Sequence, residues 1–380
     1  MPTESRVSWA TTAATLLLLL GGASAATEPT PPPGQSSTAA LVQRFGLEES
    51  PQPVRERPGW SRPSKVLVWN VQPAAVPQLQ AAAPGVELLL ARDPAEAVRL
   101  APEADAALGV CTPELLAAGP RIRWIQSYSA GVERCVAIPA LRERGVLLTN
   151  MQRVAGPVMA EHVLALMLAW TRGLNFYIPE QQSARWTREL PPPQRMLALE
   201  GKTVLVVGLG GIGIEVAKRA SALGMRVTAI RASGREGPPF VSYVGLPDEL
   251  GKLAAEADFV VNTTPLTPAT TGMFDAKFFA AVKPGSFFVN VGRGQSVVQP
   301  ELIAALRSGR LGGAGLDVTD PEPLPADSPL WKLPNVIITP HVSAQSDVDE
   351  DARLAIVAEN LRRYVAGERM LSVVDVAKGY

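Results

Sequence analysis

The sequence predicts an α/β protein with two Rossmann-like, doubly wound parallel sheets, the first of them in a domain that is discontinuous in the chain. From residue 65 onward, short runs rich in β-branched residues or leucine alternate with alanine-rich helical stretches, which is typical of parallel strands covered by helices. This alternation occurs twice, on either side of a long apolar helix predicted over residues 155–172. A chain of 380 residues has room for two such domains.

The residues before the first predicted strand form two segments. Arg6, an apolar run over residues 7–20 and the small-residue motif ASA that follows predict a secretory signal peptide over residues 1–25. An uncleaved membrane anchor is the alternative, but the run is short for a spanning helix of about 20 residues. Residues 26–63 are rich in proline, serine and charge, which predicts a linker. We therefore expect an exported protein, periplasmic or secreted, without stable membrane association after cleavage.

Five short apolar runs predict the first sheet, with short helices over residues 73–83, 93–100 and 113–118 between them. In order, the runs are VLVWN, VELLLA, AALGV, IRWIQS and VLLTN. A later helix over residues 347–366 has no strand behind it, so we expect it to return and pack on this first sheet. The first domain is therefore assigned to residues 64–154 and 341–380.

Six further runs predict the second sheet, within a domain assigned to residues 155–340. In order, they are TVLVVG, RVTAIR, DFVVNTT, SFFVNVG, GAGLDV and NVIITP. Helices are predicted over residues 212–224, 275–281 and 301–308.

Composition favours a small-molecule ligand. Basic and acidic residues are equal at 36 each, so no overall field would attract nucleic acid or an anionic membrane. The two cysteines, Cys111 and Cys135, exclude a disulfide-rich scaffold and lack the Cys-x-x-Cys spacing of metal sites, so no metal site is predicted. They fit small buried residues better than nucleophiles, and a single disulfide between them stays open.

A glycine-rich loop lies between a predicted strand and a predicted helix, the context in which G-x-G-x-x-G binds a dinucleotide pyrophosphate. Glycine lets the backbone turn tightly and approach phosphate, while the amides at the helix N-terminus face the negative charge. The loop is GLGGIG, and its predicted cofactor contacts are Gly208, Gly210, Gly211, Ile212 and Gly213.

The loop after the next strand favours NADP over NAD. An acidic residue at the end of that strand would bind the adenosine ribose and repel a 2′-phosphate, but Arg231 stands there. Ser233 and Arg235 follow, so the loop offers a phosphate two guanidinium groups and a hydroxyl.

Several polar residues lie at the carboxyl ends of strands in the second sheet, where open α/β folds bind ligands. Arg293 is flanked by glycines and can bind a carboxylate or polarise a keto oxygen. His341 and Glu322 form a plausible acid/base pair, because a neighbouring carboxylate favours the protonated form of a histidine. His162 lies within an amphipathic helix and is interpreted as a packing residue.

The motifs GLGGIG, NTTPLTPAT, NVGRGQ, GAGLDVTDPEPLP and SPLWKLPNVIITPH, with SAGVE and AEHVLALML, resemble those of the D-isomer-specific 2-hydroxyacid dehydrogenases. The basic loop is similar to that of the glyoxylate/hydroxypyruvate reductase branch. The resemblance extends from residue 65 to the C-terminal helix. It implies a flavodoxin-like substrate domain from the first unit and an NAD(P)-binding Rossmann domain from the second.

The resemblance also implies roles for individual residues. Arg293 would anchor the 2-oxo acid, His341 would protonate the developing alkoxide and Glu322 would pair with that histidine. Asp317 would hold the nicotinamide carboxamide, and the loop of Thr264 and Pro265 would contact the cofactor. The backbone amides of Ala130 and Gly131 would bind the substrate carboxylate.

The implied reaction is hydride transfer between NADP(H), or NAD(H), and a small 2-oxo or 2-hydroxy acid such as glyoxylate or hydroxypyruvate, carried out by a homodimer. Glutamate at position 322 argues against formate dehydrogenases, which have glutamine there. Glu133 departs from the aspartate that is common in the family. Three alternatives stay open. One is a non-enzymatic dinucleotide sensor or scaffold, and another is an extracytoplasmic binding protein that keeps the crevice without a usable cofactor. The third is a phosphite-type dehydrogenase that uses the same side chains on an inorganic oxyanion.

Overall fold

The computed structural model describes residues 38–192, 194–347 and 349–379, and the predicted signal peptide lies outside them. Two parallel sheets form, as predicted. The strands of the first sheet are β1 (Lys65–Trp69), β2 (Glu87–Ala91), β3 (Ala106–Leu108), β4 (Trp124–Gln126) and β5 (Leu147–Thr149). Those of the second are β6 (Thr203–Val207), β7 (Arg226–Ile230), β8 (Tyr243–Gly245), β9 (Phe259–Asn262), β10 (Ser286–Asn290), β11 (Leu311–Leu316) and β12 (Val336–Ile338).

Helices cover the sheets and connect the strands. They are α1 (Thr38–Phe45), α2 (Val76–Ala82), α3 (Pro94–Leu100), α4 (Pro113–Ala118), α5 (Glu133–Val136), α6 (Pro139–Glu143), α7 (Gly156–Thr171), α8 (Leu174–Gln182), α9 (Gly211–Ala222), α10 (Leu250–Ala254), α11 (Ala276–Ala281), α12 (Gln299–Arg307) and α13 (Asp349–Ala366). Local sequence signals fix several helix starts. The side chains of Asp93, Thr112 and Asp275 each accept a hydrogen bond from a backbone amide in the first turn of α3, α4 and α11, respectively.

The order of the strands determines where each sheet can bind a ligand. The first sheet has the order β2-β1-β3-β4-β5, and the second has the order β12-β11-β10-β9-β6-β7-β8. These are the flavodoxin-like and Rossmann-like orders, and all pairs are parallel. The order reverses beside β1 and beside β6, so the carboxyl ends at these points form the crevices that such folds use for ligands.

The last helix returns to the first sheet, which makes that domain discontinuous as predicted. Ile356 and Leu361 on α13 are fully buried in the same core as β1. The ring of Tyr364 stacks on that of Trp124 at 4.6 Å between centroids. Asn360 Nδ2 donates a hydrogen bond to Gln126 Oε1 at 2.8 Å, in the interior. Packing and a buried polar contact therefore both fix α13.

The sequence predicted a linker over residues 26–63, but the described part of this segment, residues 38–63, packs against the first domain. Residues 38–45 form α1, and Leu41, Phe45 and Val54 are buried with α13 in the core of the first domain. The composition of the segment indicated too little apolar surface for independent folding, but α13 supplies the surface that the segment needs.

Other differences are local. The edge strand β8 and the helix α8 were not predicted, and α13 begins at Asp349 rather than at residue 347. Strand β8 ends in a glycine and lies between Pro239 and Pro247, and these residues favour a loop in the sequence. Among the described residues, no helix combines the length and the apolar character needed to cross a membrane.

A disulfide joins Cys111 to Cys135, with 5.6 Å between the two Cα atoms. The bond ties the loop after β3 to the short helix α5. The sequence left this pairing open, and the structure resolves it.

Candidate active site

The glycine loop after β6 has the shape that a pyrophosphate requires. Gly208 has a φ of +98°, which favours glycine. A Cβ at Gly213 would lie 2.1 Å from the carbonyl oxygen of Gly208, so the start of α9 can approach the strand only without a side chain. A Cβ at Gly210 would meet no atom of the described residues within 4 Å. The open space beside Gly210, at the N-terminus of α9, therefore fits a phosphate group.

The basic loop after β7 divides into two parts. Arg231 Nε donates to Ser233 Oγ at 2.8 Å, and its Nη1 donates to the carbonyl oxygen of Glu236. Arg235 turns toward the sheet edge and forms an ion pair with Glu249 at 2.7 Å. The structure thus groups Arg231 with Ser233, while Arg235 is engaged elsewhere.

Arg293 follows β10 on a loop packed between two neighbouring loops. A Cβ at Gly292 would lie 2.8 Å from the carbonyl oxygen of Thr264, and one at Gly294 would lie 1.8 Å from that of Thr319. The glycines on either side of Arg293 are therefore required by close backbone contacts. The same contacts bring Thr264 and Pro265, the predicted cofactor residues, beside the arginine loop.

The guanidinium of Arg293 reaches across to the first domain. Its Nε donates to Glu133 Oε1 at 2.8 Å and its Nη2 to Glu133 Oε2 at 3.4 Å, while Nη1 donates to the carbonyl oxygen of Gly292. A Cβ at Gly131 would lie 1.6 Å from Nη2, so the guanidinium lies directly against the glycine backbone. Among the described residues, no acceptor meets the other two N–H groups, one on each Nη.

This arrangement leaves a bidentate donor face for an anion beside the loop of Ala130 and Gly131. Burial alone would raise the pKa of the Glu133 carboxyl, but the hydrogen bonds and charge of Arg293 hold that pKa below its ordinary value. Glu133 is therefore ionised at neutral pH and orients the guanidinium without occupying the remaining donors.

Buried amide and hydroxyl groups fix the backbone of Arg293. Asn290 Nδ2 and Ser296 Oγ donate to its carbonyl oxygen at 3.1 and 2.6 Å. Asn262 Nδ2 donates to both Asn290 and Ser296, while Asn262 Oδ1 accepts from Thr264. Sequence reasoning missed these three residues, although Asn262 and Asn290 each end an apolar strand, which was an available signal. Ser296 lies six residues past its strand and carried no such signal.

His341 and Glu322 form the pair that the sequence suggested. His341 Nδ1 lies 2.9 Å from Glu322 Oε2, and Glu322 Oε1 accepts from the backbone amide of Thr319 at 3.0 Å. The carboxylate thus fixes the imidazole and leaves Nε2 for a ligand. Thr319 also contacts Gly294, so the Glu322 loop and the Arg293 loop pack directly on each other.

Asp317 holds the turn that carries His341. Its buried carboxylate accepts from Thr339 Oγ1 at 2.7 Å and from the amides of Val342 and Ser343 at 2.9 and 3.1 Å. Burial alone would raise the pKa of Asp317, but hydrogen bonds from Ser343, Thr339 and Val342 hold that pKa below its ordinary value. The implied contact of Asp317 with a nicotinamide carboxamide stays a prediction, because its oxygens already serve this turn.

Three residues that the sequence left outside the site lie close to it. His162 Nε2 is 2.9 Å from Thr339 Oγ1, which places the histidine against the His341 turn. Cys111 and Cys135 border a cavity of about 180 Å³ that Gly131 and Glu133 also line. The disulfide therefore forms part of the wall beside the Arg293 contact.

Comparison with known proteins agrees with this geometry. Residues 164–343 match the model of the D-isomer specific 2-hydroxyacid dehydrogenase, NAD binding domain. The human glyoxylate reductase/hydroxypyruvate reductase is 34% identical over 260 residues, which cover 67% of this chain and 78% of that protein.

Solved structures extend the similarity over most of the chain. The NADPH-dependent glyoxylate/hydroxypyruvate reductase of Sinorhizobium meliloti, in complex with NADP and sulfate, is 32% identical with a TM-score of 0.72. A D-isomer specific 2-hydroxyacid dehydrogenase of Xanthobacter autotrophicus, in complex with NADPH and MES, is 32% identical with a TM-score of 0.71. Each alignment covers 83% of this chain and 100% of the other.

The fold, the matching family model and these relatives define an NAD(P)-dependent oxidoreductase. The chain belongs to the D-isomer specific 2-hydroxyacid dehydrogenase family.

Replacing Glu133 with glutamine tests how Arg293 is held. Glu133→Gln keeps the shape of the side chain but removes its charge, so the bidentate contact weakens. We expect kcat/KM for a 2-oxo acid to fall roughly ten-fold, the effect of losing about 1.5 kcal/mol from a charge-assisted hydrogen bond. Steady-state kinetics on the purified variant measures this.

The matched control is Glu96→Gln, because Glu96 forms a similar bidentate pair with Arg92 on the exposed surface. This variant should keep the activity of the unmodified protein. A higher kcat/KM in Glu133→Gln would show instead that Glu133 competes with the substrate carboxylate for Arg293.

Proposed function

We propose that the protein reduces a small 2-oxo acid, such as glyoxylate or hydroxypyruvate, to the corresponding 2-hydroxy acid, with the D configuration where the product is chiral and with NADPH preferred over NADH. The observation that carries this proposal is the packing of the Arg293 loop against the Glu322 loop, whose carboxylate holds His341. An anion-binding guanidinium and an acid/base imidazole are thereby held in adjoining loops at one sheet edge.

Arg293 would bind the substrate through its two remaining N–H groups. The acid carboxylate would also meet the amides of Ala130 and Gly131, because the Gly131 backbone lies against the guanidinium. A developing negative charge on the keto oxygen would be stabilised by the same donors.

His341 would supply the proton. Its Nδ1 is held by Glu322, so Nε2 faces the substrate oxygen and protonates the alkoxide as it forms. A nicotinamide dinucleotide supplies the hydride when it is bound. The loop of Gly208, Gly210 and Gly213 would hold its pyrophosphate.

The preference for NADPH rests on Arg231 and Ser233, which form a joined pair of donors at the end of β7. No acidic residue stands at that strand end to bind a ribose hydroxyl. The NADP and NADPH complexes of the two solved relatives support the same assignment.

One experiment tests the reaction and the cofactor together. We expect the protein without residues 1–25 to oxidise NADPH faster than NADH in the presence of glyoxylate or hydroxypyruvate. His341→Ala should lower kcat by about 10²- to 10⁴-fold, the usual contribution of a general acid. Arg231→Ala should reduce the preference for NADPH without loss of NADH turnover, since NADH has no 2′-phosphate to bind.

The result can also favour an alternative. Tight NADPH binding without turnover of any 2-oxo acid would support a dinucleotide sensor. Reduction of NADP+ or NAD+ by phosphite, with no turnover of any 2-oxo acid by the reduced cofactor, would support a phosphite-type dehydrogenase. Pyruvate and phenylpyruvate serve as larger comparison substrates in the same assay.

We also propose that the protein is a homodimer formed through α7, α8 and the segment that follows. Large apolar side chains are exposed along this region, among them Leu174, Ile178 and Trp186, the last with 93% of its surface accessible. An apolar patch of this kind is typical of a surface that a partner covers.

Trp186→Glu should weaken the dimer, because a buried charge replaces a large apolar contact. Size-exclusion chromatography with light scattering should give two chains for the unmodified protein and one for the variant. Leu90→Glu is the control, since Leu90 is also exposed but lies on β2, an edge strand of the first sheet. A single-chain mass for the unmodified protein would contradict the proposal.

We propose, finally, that the protein is exported after removal of residues 1–25. The disulfide between Cys111 and Cys135 supports this proposal, because such bonds persist in oxidising compartments.

Expression of the full chain in a bacterial host with an oxidising periplasm tests the export. We expect a mature N-terminus at Ala26 by intact-mass measurement, and two cysteines that react with an alkylating reagent only after reduction. A full-length chain in the cytoplasmic fraction, with both thiols reactive, would contradict export.

A further inference from the structure

His162 connects α7 to the turn that presents His341. Its side chain, 20% exposed, projects from α7 so that Nε2 lies 2.9 Å from Thr339 Oγ1 and 3.8 Å from Asp317 Oδ1. Thr339 follows β12 directly and lies two residues before His341. The two histidines of the chain are thus joined through a single threonine.

The direction of these hydrogen bonds follows from the number of protons. Thr339 Oγ1 has one hydrogen, and it donates that hydrogen to Asp317 Oδ1 at 2.7 Å. The hydroxyl oxygen can therefore only accept from His162, so Nε2 must carry the proton. With the proton there, His162 holds the threonine in the rotamer that serves Asp317.

Asp317 in turn holds His341 in a conformation that L-residues rarely adopt. His341 has a φ of +55°, in the left-handed region, where a side chain is disfavoured. Its amide donates to the Asp317 carbonyl oxygen at 2.8 Å, and the next two amides donate to the Asp317 carboxylate. Such a conformation persists only where surrounding contacts determine it.

We propose that His162 is a positioning residue for His341, acting through Thr339 and Asp317. This role rests on the proposed function in one respect, namely that His341 is the proton donor. His162 need not touch the substrate, and its contribution is a donated hydrogen bond rather than a charge.

The test compares two replacements of His162. Gln can donate from its side-chain amide to Thr339, whereas Leu cannot. For His162→Leu we expect kcat to fall about five-fold, the rate equivalent of a hydrogen bond worth about 1 kcal/mol, with the dissociation constant of NADPH within two-fold of the unmodified value. His162→Gln should recover at least half of kcat.

A second readout does not depend on turnover. Hydrogen–deuterium exchange should be faster at the amides of Val342 and Ser343 in His162→Leu, and should return to the unmodified rate in His162→Gln. Glu161→Gln is the control on the same helix, since the Glu161 side chain is 68% exposed and is expected to change neither readout.

The outcomes separate this inference from the proposed function. Absence of turnover in the unmodified protein would contradict the reaction, but the exchange measurement would still test the positioning role. Unchanged exchange in His162→Leu would overturn the inference. If kcat fell equally in the Gln and Leu variants, and both had lowered melting temperatures, His162 would be a packing residue and the inference would be wrong.

Discussion

The Arg293 guanidinium is held from both domains at once, by the Glu133 carboxylate on the first and by its own loop on the second. That placement depends on backbone approaches that exclude a side chain. Cβ atoms at Gly131, Gly292 and Gly294 would lie 1.6, 2.8 and 1.8 Å from the nearest atoms. These glycines act in a different way from Gly208, whose backbone angle is the constraint. The site therefore depends on close packing of loops as much as on its charged groups.

His341 is also held in place by its surroundings, but through hydrogen bonds rather than through close packing of glycines. The Asp317 carboxylate and carbonyl oxygen together accept from the backbone on both sides of the left-handed residue. If the same carboxylate also accepts from a nicotinamide carboxamide, as the family resemblance implies, binding of the cofactor and placement of His341 share one group. Loss of the Asp317 carboxylate would then alter both, so the two processes would be energetically linked.

Sequence patterns were sufficient for the parts of the structure that depend on local order. Apolar runs bounded by glycines predicted eleven of the strands. Because the carboxyl ends of parallel strands lie at one edge of the sheet, the sequence also placed Arg293, Glu322 and His341 near one another. The contacts that orient these groups are non-local. Glu133 meets Arg293 across 160 residues, and His162 meets Thr339 across 177. No periodic pattern records such pairings, and the same holds for α1, whose apolar face packs on α13 from the far end of the chain.

The disulfide connects the environment of the protein to the geometry of the site. Helix α5 has only four residues, far fewer than an isolated helix needs for stability in water, so it depends on its anchors. One anchor is the bond from Cys135 to Cys111, and the helix begins with Glu133. A chain with both thiols reduced would lose a covalent link two residues from the carboxylate that orients Arg293. An oxidising compartment would therefore preserve the substrate-binding arrangement as well as the fold.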